Sequence, residues 1–526
     1  MNKKWLLGCL LTAGFAAALP ATAEILTAKV TGGQVEGVAS QGIVAFKGIP
    51  FAAPPVGELR WKGPQPLQAW AGVKKATAFA ASCMQDTAMA KILGAPSLSV
   101  SEDCLYLNVW TPAKAPGDKL PVMVWIYGGG FSSGMTNLPT YDGTRLAEKG
   151  VVLVSISYRV GPFGFLAHPQ LSRESGKGSG NYGLLDQIAA LRWVKDNIAA
   201  LGGDPSRVTI FGESAGGISV SMLTASPLAK GLFQQAISES GGSFAPPRFA
   251  NEGSQNIPPL KVAEASGQKF LAGLGAGDIK AARALSAEQI MKAPGAAGMG
   301  GFWPVFDGDT LLGDQYELYQ AGRFNDTPIL IGTNSDEGAL FARPGMTTGA
   351  FEQQVRGGYG AKADTLLAAY PHATDAAAAK AGKDIFRDSI FGWPTWTWAR
   401  LQSQRGKNTA YVYYFDHRTP ASPEGSNHGS EIAYVFRNLG GAGGPPRAED
   451  IAVSDLLSNY WVNFAKSGDP NGPALPAWPA FSESAQQVMF IDSKAEARPV
   501  PNIEQLKAFD SYFAWRREQA KLLAAK

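Results

Sequence analysis

Long apolar runs alternate with amphipathic segments through the middle of the chain. Two nearly continuous apolar runs, at 120–127 and 151–158, predict strands buried on both faces, which is typical of a parallel sheet covered by helices. A helical pattern follows over 184–200, ends at the Gly-Gly-Asp-Pro stretch 202–205, and precedes a third strand at 208–211. This order predicts an α/β fold with a mostly parallel central sheet.

Weaker patterns extend the prediction toward both ends of the chain. Residues 24–56 predict short strands with glycine turns, and 245–304 and 345–405 predict helical or loop-rich insertions. Further strands are predicted at 105–110, 327–332 and 410–415, and further helices from 215 and over 452–467 and 503–526. Because no repeat and no clear linker divides the chain, we expect one large domain over 24–526.

Composition excludes two classes of protein. The 526 residues are 45% hydrophobic and 17% charged, which is too apolar for a disordered chain. A membrane protein with several spanning helices is also excluded, because only the N-terminal apolar run is long enough to consider as a membrane span. The net charge of +3 gives no indication of a nucleic-acid partner.

The N-terminus has the pattern of an export signal. Lys3 and Lys4 precede an apolar run over 5–19, and 21–23 has the small-x-small form of a signal-peptidase site. The run has about 15 residues, whereas a membrane-spanning helix needs ~20. Lipoprotein processing at Cys9 is disfavoured, because it would leave almost no apolar segment ahead of the cysteine. We therefore predict a signal peptide over 1–23, no stable membrane anchor, and a periplasmic or secreted protein.

Removal of 1–23 leaves only one possible pair of cysteines. Cys83 and Cys104 are then expected to form a disulfide, because an exported protein occupies a compartment that permits one. The four histidines are scattered, and no Cys/His cluster has the spacing of a metal site. We expect neither a metal nor a cofactor.

A serine between a strand and a helix is the main candidate for chemistry. The stretch 212–216, with Ser214 at its centre, fits Gly-x-Ser-x-Gly, the turn that exposes a nucleophilic serine. A second match at 130–134 is centred on Ser132, but the residues after it cannot start a helix cleanly. The context predicts Ser214, rather than Ser132, as the nucleophile.

A glycine-rich stretch supplies candidate donors for an oxyanion. Gly128-Gly129-Gly130 ends the predicted strand 120–127, and glycine lets the backbone approach a substrate closely. An acyl-transfer serine needs backbone N–H groups aimed at the tetrahedral oxyanion. We assign this role to Gly129, Gly130 and Ala215.

With these motifs in place, the chain resembles the carboxylesterase/cholinesterase family of α/β-hydrolases, also called type-B carboxylesterases. The matching stretches are 48–52, 101–110, 127–131, 180–187, 211–217 and 332–338. The resemblance implies an α/β-hydrolase fold with helical insertions that form a gorge or lid. It also implies a serine carboxylic-ester hydrolase.

The general base must be one of the histidines that follow the nucleophile. Chain order in α/β-hydrolases excludes His168, and His372 lies in a polar turn. Position alone leaves His417 and His428 nearly equal. The resemblance selects His428, because the catalytic histidine of the family sits in a His-Gly-x-Glu-Ile pattern.

The acid that orients the histidine follows the strand 327–332, where two carboxylates are adjacent. Spacing does not choose between Asp336 and Glu337, but the Asp-Glu-Gly pattern of the family implies Glu337. Two supporting residues are also expected: Glu213, which would tune the charge of the site, and Ser240, which matches a family serine that hydrogen-bonds near the triad. Purely structural support is an equal alternative for both.

These residues predict ester hydrolysis through an acyl-enzyme, with a small-molecule ester as substrate. The alternatives are a related acyl hydrolase acting on carbamates, aryl amides or polyesters, and a non-catalytic binding protein on the same scaffold. The loop 84–103 has no aromatic residue, whereas choline-selective relatives carry a Trp there, so choline specificity is not expected. Five aromatic residues are candidates for an acyl or alcohol pocket or for the core: Trp303, Phe391, Trp393, Trp396 and Trp398. The sequence leaves the oligomeric state open.

Overall fold

The apolar runs of the sequence become strands of one large mixed sheet. The computed structural model describes residues 24–92, 95, 97–249, 256–298, 301–342, 344–440 and 444–524. The predicted signal peptide lies outside them. The strands are β1 (Thr27–Val30), β2 (Gly33–Glu36), β3 (Val38–Ser40), β4 (Ile43–Pro50), β5 (Val73–Lys75), β6 (Ser82–Cys83), β7 (Val100–Ser101), β8 (Tyr106–Thr111), β9 (Leu120–Ile126), β10 (Val152–Ile156), β11 (Gly203–Glu213), β12 (Gln235–Glu239), β13 (Ile329–Asn334), β14 (Ala410–Phe415), β15 (Gln487–Ile491) and β16 (Ala495–Pro499).

The large sheet has eleven strands within the described residues. Their order is β16-β15-β14-β13-β12-β11-β9-β10-β8-β4-β3. Every neighbouring pair from β10 to β15 is parallel, and the pairs at both ends of the sheet are antiparallel. In β9 every residue after Leu120 is buried, and β10 is buried throughout, as expected for strands with both faces covered. The predicted α/β-hydrolase sheet is confirmed.

Helices cover this sheet. They are α1 (Ala88–Ile92), α2 (Thr144–Ala147), α3 (Gly161–Phe165), α4 (Pro169–Ser175), α5 (Tyr182–Asn197), α6 (Ala215–Ala225), α7 (Leu260–Gly273), α8 (Ile279–Ala284), α9 (Ala287–Met291), α10 (Gln315–Gln320), α11 (Thr348–Tyr359), α12 (Ala363–Ala369), α13 (Asp375–Arg387), α14 (Trp393–Arg405), α15 (Ile432–Val435), α16 (Ala448–Ser467) and α17 (Ile503–Ala524). Helices α5, α6 and α16 pack on β11, and α14 packs on β13 and β14. No helix in the described ranges is both long and apolar enough to cross a membrane.

The structure moves several predicted boundaries. Strand β11 begins at Gly203, five residues before its predicted start, because Gly203 already pairs with Leu120 of β9 and the register shifts before Val208. Helix α17 ends at Ala524 among the described residues. The predicted helical insertions appear as α7–α9 and α11–α14.

Cys83 and Cys104 form the expected disulfide, with their Cα atoms 5.0 Å apart. Both cysteines are buried in the main core. The bond ties β6 to Cys104, two residues before the start of β8, and β8 is a member of the large sheet. The disulfide therefore closes the segment 84–103 into a covalent loop.

Candidate active site

Ser214 occupies the sharp turn between β11 and α6. Its backbone has φ +56° and ψ −123°, a region that residues other than glycine rarely adopt and that costs ~1–3 kcal/mol. The turn is fixed on both sides: Ser214 N donates to Glu239 O at 2.9 Å, and Ile218 N donates to Ser214 O at 2.8 Å. Strain held by its surroundings is typical of functional turns, and here it places the hydroxyl at the end of the central strand.

Small residues around Ser214 are required by close packing. A Cβ on Gly216 would lie 2.0 Å from Ile126 O, so no side chain fits between α6 and β9. A Cβ on Gly128 would lie 2.7 Å from Glu213 O and 2.9 Å from Ser214 Cβ. The glycine-rich loop after β9 therefore lies directly against the nucleophile turn.

His428 lies between Ser214 and Glu337 and bonds to both. Its Nε2 is 2.9 Å from Ser214 Oγ, and its Nδ1 is 2.6 Å from Glu337 Oε2. The imidazole side chain is about one-tenth exposed, and Glu337 is fully buried. The structure thus brings together the three predicted residues, the first and last of which are 214 positions apart in the chain.

Glu337 is held from its other oxygen as well. Its Oε1 accepts the backbone N–H of Asn334 at 2.7 Å and the hydroxyl of Ser240 at 2.5 Å. Ser240 follows β12 with φ +50°, so its side chain leaves the strand direction and reaches the carboxylate. Oε1 is occupied by these two donors, which leaves Oε2 to face the imidazole. The hydroxyl of Ser240 therefore helps to hold the Glu337 carboxylate in place.

Glu213 lies beside the same imidazole. Its Oε1 is 3.2 Å from His428 Nε2 and accepts no hydrogen bond from the described residues. Burial raises the pKa of Glu213 above its ordinary range. Burial by itself lowers the pKa of His428, but the carboxylates of Glu213 and Glu337 outweigh it and raise that pKa above its ordinary value. The charge of Glu213 therefore bears directly on the proton affinity of the histidine.

The other candidates make different contacts. His417 Nε2 pairs with Asp450 at 2.7 Å, and His372 lies 3.5 Å from Glu352. Asp336 forms an ion pair with Lys383 at 3.1 Å. Ser132 donates to Gly129 O at 3.2 Å within the glycine-rich loop. Each of these four residues has a local partner, and none bonds to Ser214 or to His428 among the described residues.

The glycine-rich loop has a backbone that only glycine adopts freely. Gly129 has φ +111° and Gly130 has φ +61°. The carbonyl of Gly129 accepts the N–H groups of Ser132 and Ser133, both at 3.1 Å, which closes the loop into a tight turn. Ala215 is the first residue of α6, where backbone N–H groups lack helical partners.

The five aromatic candidates separate into two groups. Trp393, Trp396 and Trp398 are buried in the core, and their indole nitrogens donate to side chains there. Trp303 packs edge-on against Phe131 of the glycine-rich loop, with centroids 4.8 Å apart. Phe391 lies on the face of His428. Only the last two are therefore next to the site.

Sequence reasoning missed two buried glutamates behind the histidine. Glu239 accepts the indole N–H of Trp461 at 2.7 Å, and burial raises its pKa to about 8. Glu431 accepts a hydrogen bond from the side chain of Asn334. Burial raises its pKa well above the ordinary value. The sequence positions of both glutamates could have indicated them: Glu239 directly precedes Ser240, and Glu431 lies in the same His-Gly-x-Glu-Ile pattern as His428.

Asn334, the last residue of β13, connects the acid to the segment that carries the histidine. Its backbone N–H binds Glu337, and its side chain donates to Asn427 O at 2.8 Å as well as to Glu431. Asn427 directly precedes His428 in the chain. Within the described ranges, no cluster of three or more His, Cys, Asp or Glu side chains could hold a metal ion.

Comparison with known proteins places the chain among carboxylesterases. A family model described as "Carboxylesterase family" matches residues 21–509. The fumonisin B1 esterase of Sphingopyxis macrogoltabida is 38% identical over 504 residues, which cover 90% of this chain and 89% of the relative. The para-nitrobenzyl esterase of Bacillus subtilis (strain 168) is 35% identical over 511 residues, which cover 92% of this chain and 98% of the relative.

Solved structures show the same fold. A PNB esterase matches with a TM-score of 0.79 and 34% identity, over 92% of this chain and 99% of that chain. A thermophilic PNB esterase matches with a TM-score of 0.80 and 34% identity, over the same shares. Both the resemblance and the predicted α/β-hydrolase fold are confirmed. This chain belongs to the carboxylesterase family and is an enzyme that hydrolyses carboxylic esters.

Proposed function

We propose that the chain hydrolyses esters through a Ser214–His428–Glu337 triad and an acyl-enzyme intermediate. The observation that carries the proposal is the continuous line of two hydrogen bonds, 2.9 Å from Ser214 Oγ to His428 Nε2 and 2.6 Å from His428 Nδ1 to Glu337 Oε2. This arrangement can take a proton from the serine and stabilise the imidazolium that results.

The reaction has two steps. His428 Nε2 takes the proton of Ser214 while Oγ attacks the ester carbonyl, and then gives that proton to the departing alcohol as the ester C–O bond breaks. A water molecule then attacks the acyl-enzyme and gives its proton to Nε2. The proton returns to Ser214 Oγ as the carboxylic acid leaves.

The oxyanion formed in each step needs fixed donors. We assign them to the backbone N–H groups of Gly129, Gly130 and Ala215, because the loop and the start of α6 flank Ser214. The positive φ values of Gly129 and Gly130 support this assignment, since they turn successive peptide groups within one tight loop.

A pocket beside the nucleophile helix is the proposed site for one side of the ester. It is lined by Ile218 of α6, by Trp303, and by Ser389, Ile390 and Pro394. Ile218 lies one helical turn after Ser214, and the pocket also includes Ala245 and Ile257, with Ser243, Asn256 and Ser389 as its polar residues. We therefore expect esters whose acyl or alcohol group is apolar to be preferred over esters with charged groups at that position.

An organophosphonate test examines the proposed nucleophile directly. The purified protein should release p-nitrophenol from p-nitrophenyl butyrate and lose this activity as one phosphonyl group attaches to each chain, on the peptide that contains Ser214. Mass spectrometry of the digest identifies the site, and Ser132→Ala should label normally. Absence of turnover, or labelling at another residue, would contradict the proposal. Parallel assays with an aryl amide and a carbamate test the alternative substrates.

The pH profile should depend on Glu213. In Glu213→Gln the carboxylate that favours imidazolium is gone, so the pKa of His428 falls and the neutral base exists at lower pH. The acidic limb of kcat/KM should therefore move to lower pH. Glu424→Gln is the matched control, because Glu424 is an exposed carboxylate four residues before His428. An acidic limb that stays in place in Glu213→Gln would mean that Glu213 does not act on the histidine.

We also propose export with cleavage after residue 23 and a single hydrolase domain over 24–526. The basic start, the apolar run and the small-x-small site support export. The disulfide between Cys83 and Cys104 supports it as well, because such bonds persist in oxidising compartments.

A further inference from the structure

A short π-helical turn lies next to the site. Residues Asp388–Gly392 join α13 to α14 with the wider i→i+5 pattern. Such turns are rare, and they occur frequently at functional sites. This turn points three successive residues, Ser389, Ile390 and Phe391, toward the region of the nucleophile and the histidine.

The turn is anchored to the loop that holds the acid. Arg387 binds both oxygens of Asp388, at 2.8 and 3.1 Å, and its Nη1 donates to Ser335 O at 3.0 Å. Tyr370 donates to Asp388 Oδ2 at 2.8 Å. Ser335 lies two residues before Glu337. All four anchoring contacts are buried or partly buried, so the start of the turn is fixed relative to the acid.

Phe391 lies flat on the imidazole of His428. The two ring centroids are 4.6 Å apart and the ring planes differ by 25°. Phe341 meets the same imidazole edge-on, with centroids 5.6 Å apart. The hydrogen bonds to Ser214 and Glu337 hold the two ring nitrogens of the imidazole, at 2.9 and 2.6 Å, but they do not contact its faces. A flat ring against one face restrains movement of the imidazole toward that side.

We propose that Phe391 is a positioning residue for the general base and that the π-helical turn exists to place it there. This proposal rests on the proposed function of His428. The ring of Phe391 holds the imidazole in line with Ser214 and Glu337. It also presents its negative face to the imidazolium that forms when Ser214 is deprotonated, which favours the charged ring.

The same turn contributes to the pocket, and this gives a way to separate the two effects. Ser389 and Ile390 line the pocket beside Ile218, whereas Phe391 lies on the histidine. A change at Ile390 should alter KM and the preference for acyl or alcohol size. A change at Phe391 should alter kcat and the pH profile.

Phe391→Leu is the central test, because leucine fills space but has no ring face. We expect kcat for p-nitrophenyl butyrate to fall about tenfold, with KM within twofold of wild type and with the acidic limb of kcat/KM shifted to lower pH. Phe391→Tyr keeps the ring face and should restore kcat to within threefold of wild type and the original pH profile.

Phe386→Leu is the matched control, since Phe386 packs on Phe341 and Phe391 rather than on His428. Its kcat and acidic limb should match wild type. The proposal is overturned if Phe391→Leu changes KM alone, if its acidic limb does not move, or if Phe386→Leu reproduces its effects. This inference alone would be refuted if the wild type is active and labelled by organophosphonate on Ser214 while Phe391→Leu has wild-type kinetics. An inactive wild type would instead refute the proposed function.

Tyr370→Phe tests the anchor without touching the site, and it keeps the proposal testable if Phe391→Leu does not fold. The variant removes only the hydroxyl that binds Asp388. We expect kcat to fall twofold to threefold, with KM unchanged and the acidic limb shifted in the same direction as for Phe391→Leu. Kinetics identical to wild type would overturn the proposal that the anchored turn positions Phe391 on the histidine.

Discussion

Replacement of Ser214 by alanine should lower kcat about 10⁴- to 10⁶-fold, because no other hydroxyl bonds to His428 among the described residues. The change removes one oxygen whose side-chain partner is the histidine, so packing and the hydrogen bonds of the turn remain. Alanine at φ +56° is as strained as serine, and the free energy of unfolding should change little. The measurement is the rate of p-nitrophenyl butyrate hydrolysis, together with the thermal unfolding midpoint.

Two further variants make the result on Ser214 specific. Ser132→Ala removes the hydroxyl of the second Gly-x-Ser-x-Gly match and should retain nearly full activity, because among the described residues that hydroxyl bonds only to Gly129 O. The double variant Ser214→Ala/His428→Ala should be no slower than Ser214→Ala alone, since the two groups act as a unit. A Ser214→Ala protein within tenfold of wild type would refute the proposed nucleophile.

The sheet could be predicted where local pattern and tertiary environment agree. In β9 and β10 nearly every residue is apolar, because helices cover both faces of these strands. Strand β12 was not predicted, and its sequence Gln-Ala-Ile-Ser-Glu explains why: its polar residues are buried by specific partners, such as Trp461 for Glu239. The spacing of hydrophobic residues along the sequence does not reveal a polar side chain that is buried against a partner distant in the chain.

Some residues of the candidate site could likewise be predicted from the local sequence, and others could not. Ser214 could be located from a local motif, because the turn imposes its own residue types. The choice of His428 over His417 could not be made from position, and it needed the family pattern. The structure gives a physical reason for the difference: His417 is paired with Asp450, whereas His428 faces Ser214. The contact of Phe391 with His428 depends on a π-helical turn, which has no sequence signature of its own.

Glu337→Gln should lower kcat about 10⁴-fold, because it forces the histidine into the wrong tautomer. Asn334 N and Ser240 Oγ both donate to Oε1, so the amide oxygen takes that place and the NH₂ group faces His428 Nδ1. Nδ1 must then accept, the ring proton moves to Nε2, and Nε2 can no longer take the proton of Ser214.

The adjacent carboxylate is the matched control for this variant. Asp336→Asn removes an ion pair with Lys383, in which the charged atoms are 3.1 Å apart. Because this pair is partly exposed, its loss should change kcat less than threefold. Both variants are assayed with p-nitrophenyl butyrate across pH 5 to 9, since a tautomer effect persists at every pH whereas a simple pKa shift disappears on the plateau. If Asp336→Asn loses activity and Glu337→Gln keeps it, the acid of the triad is Asp336, because the two carboxylates are neighbours in the chain.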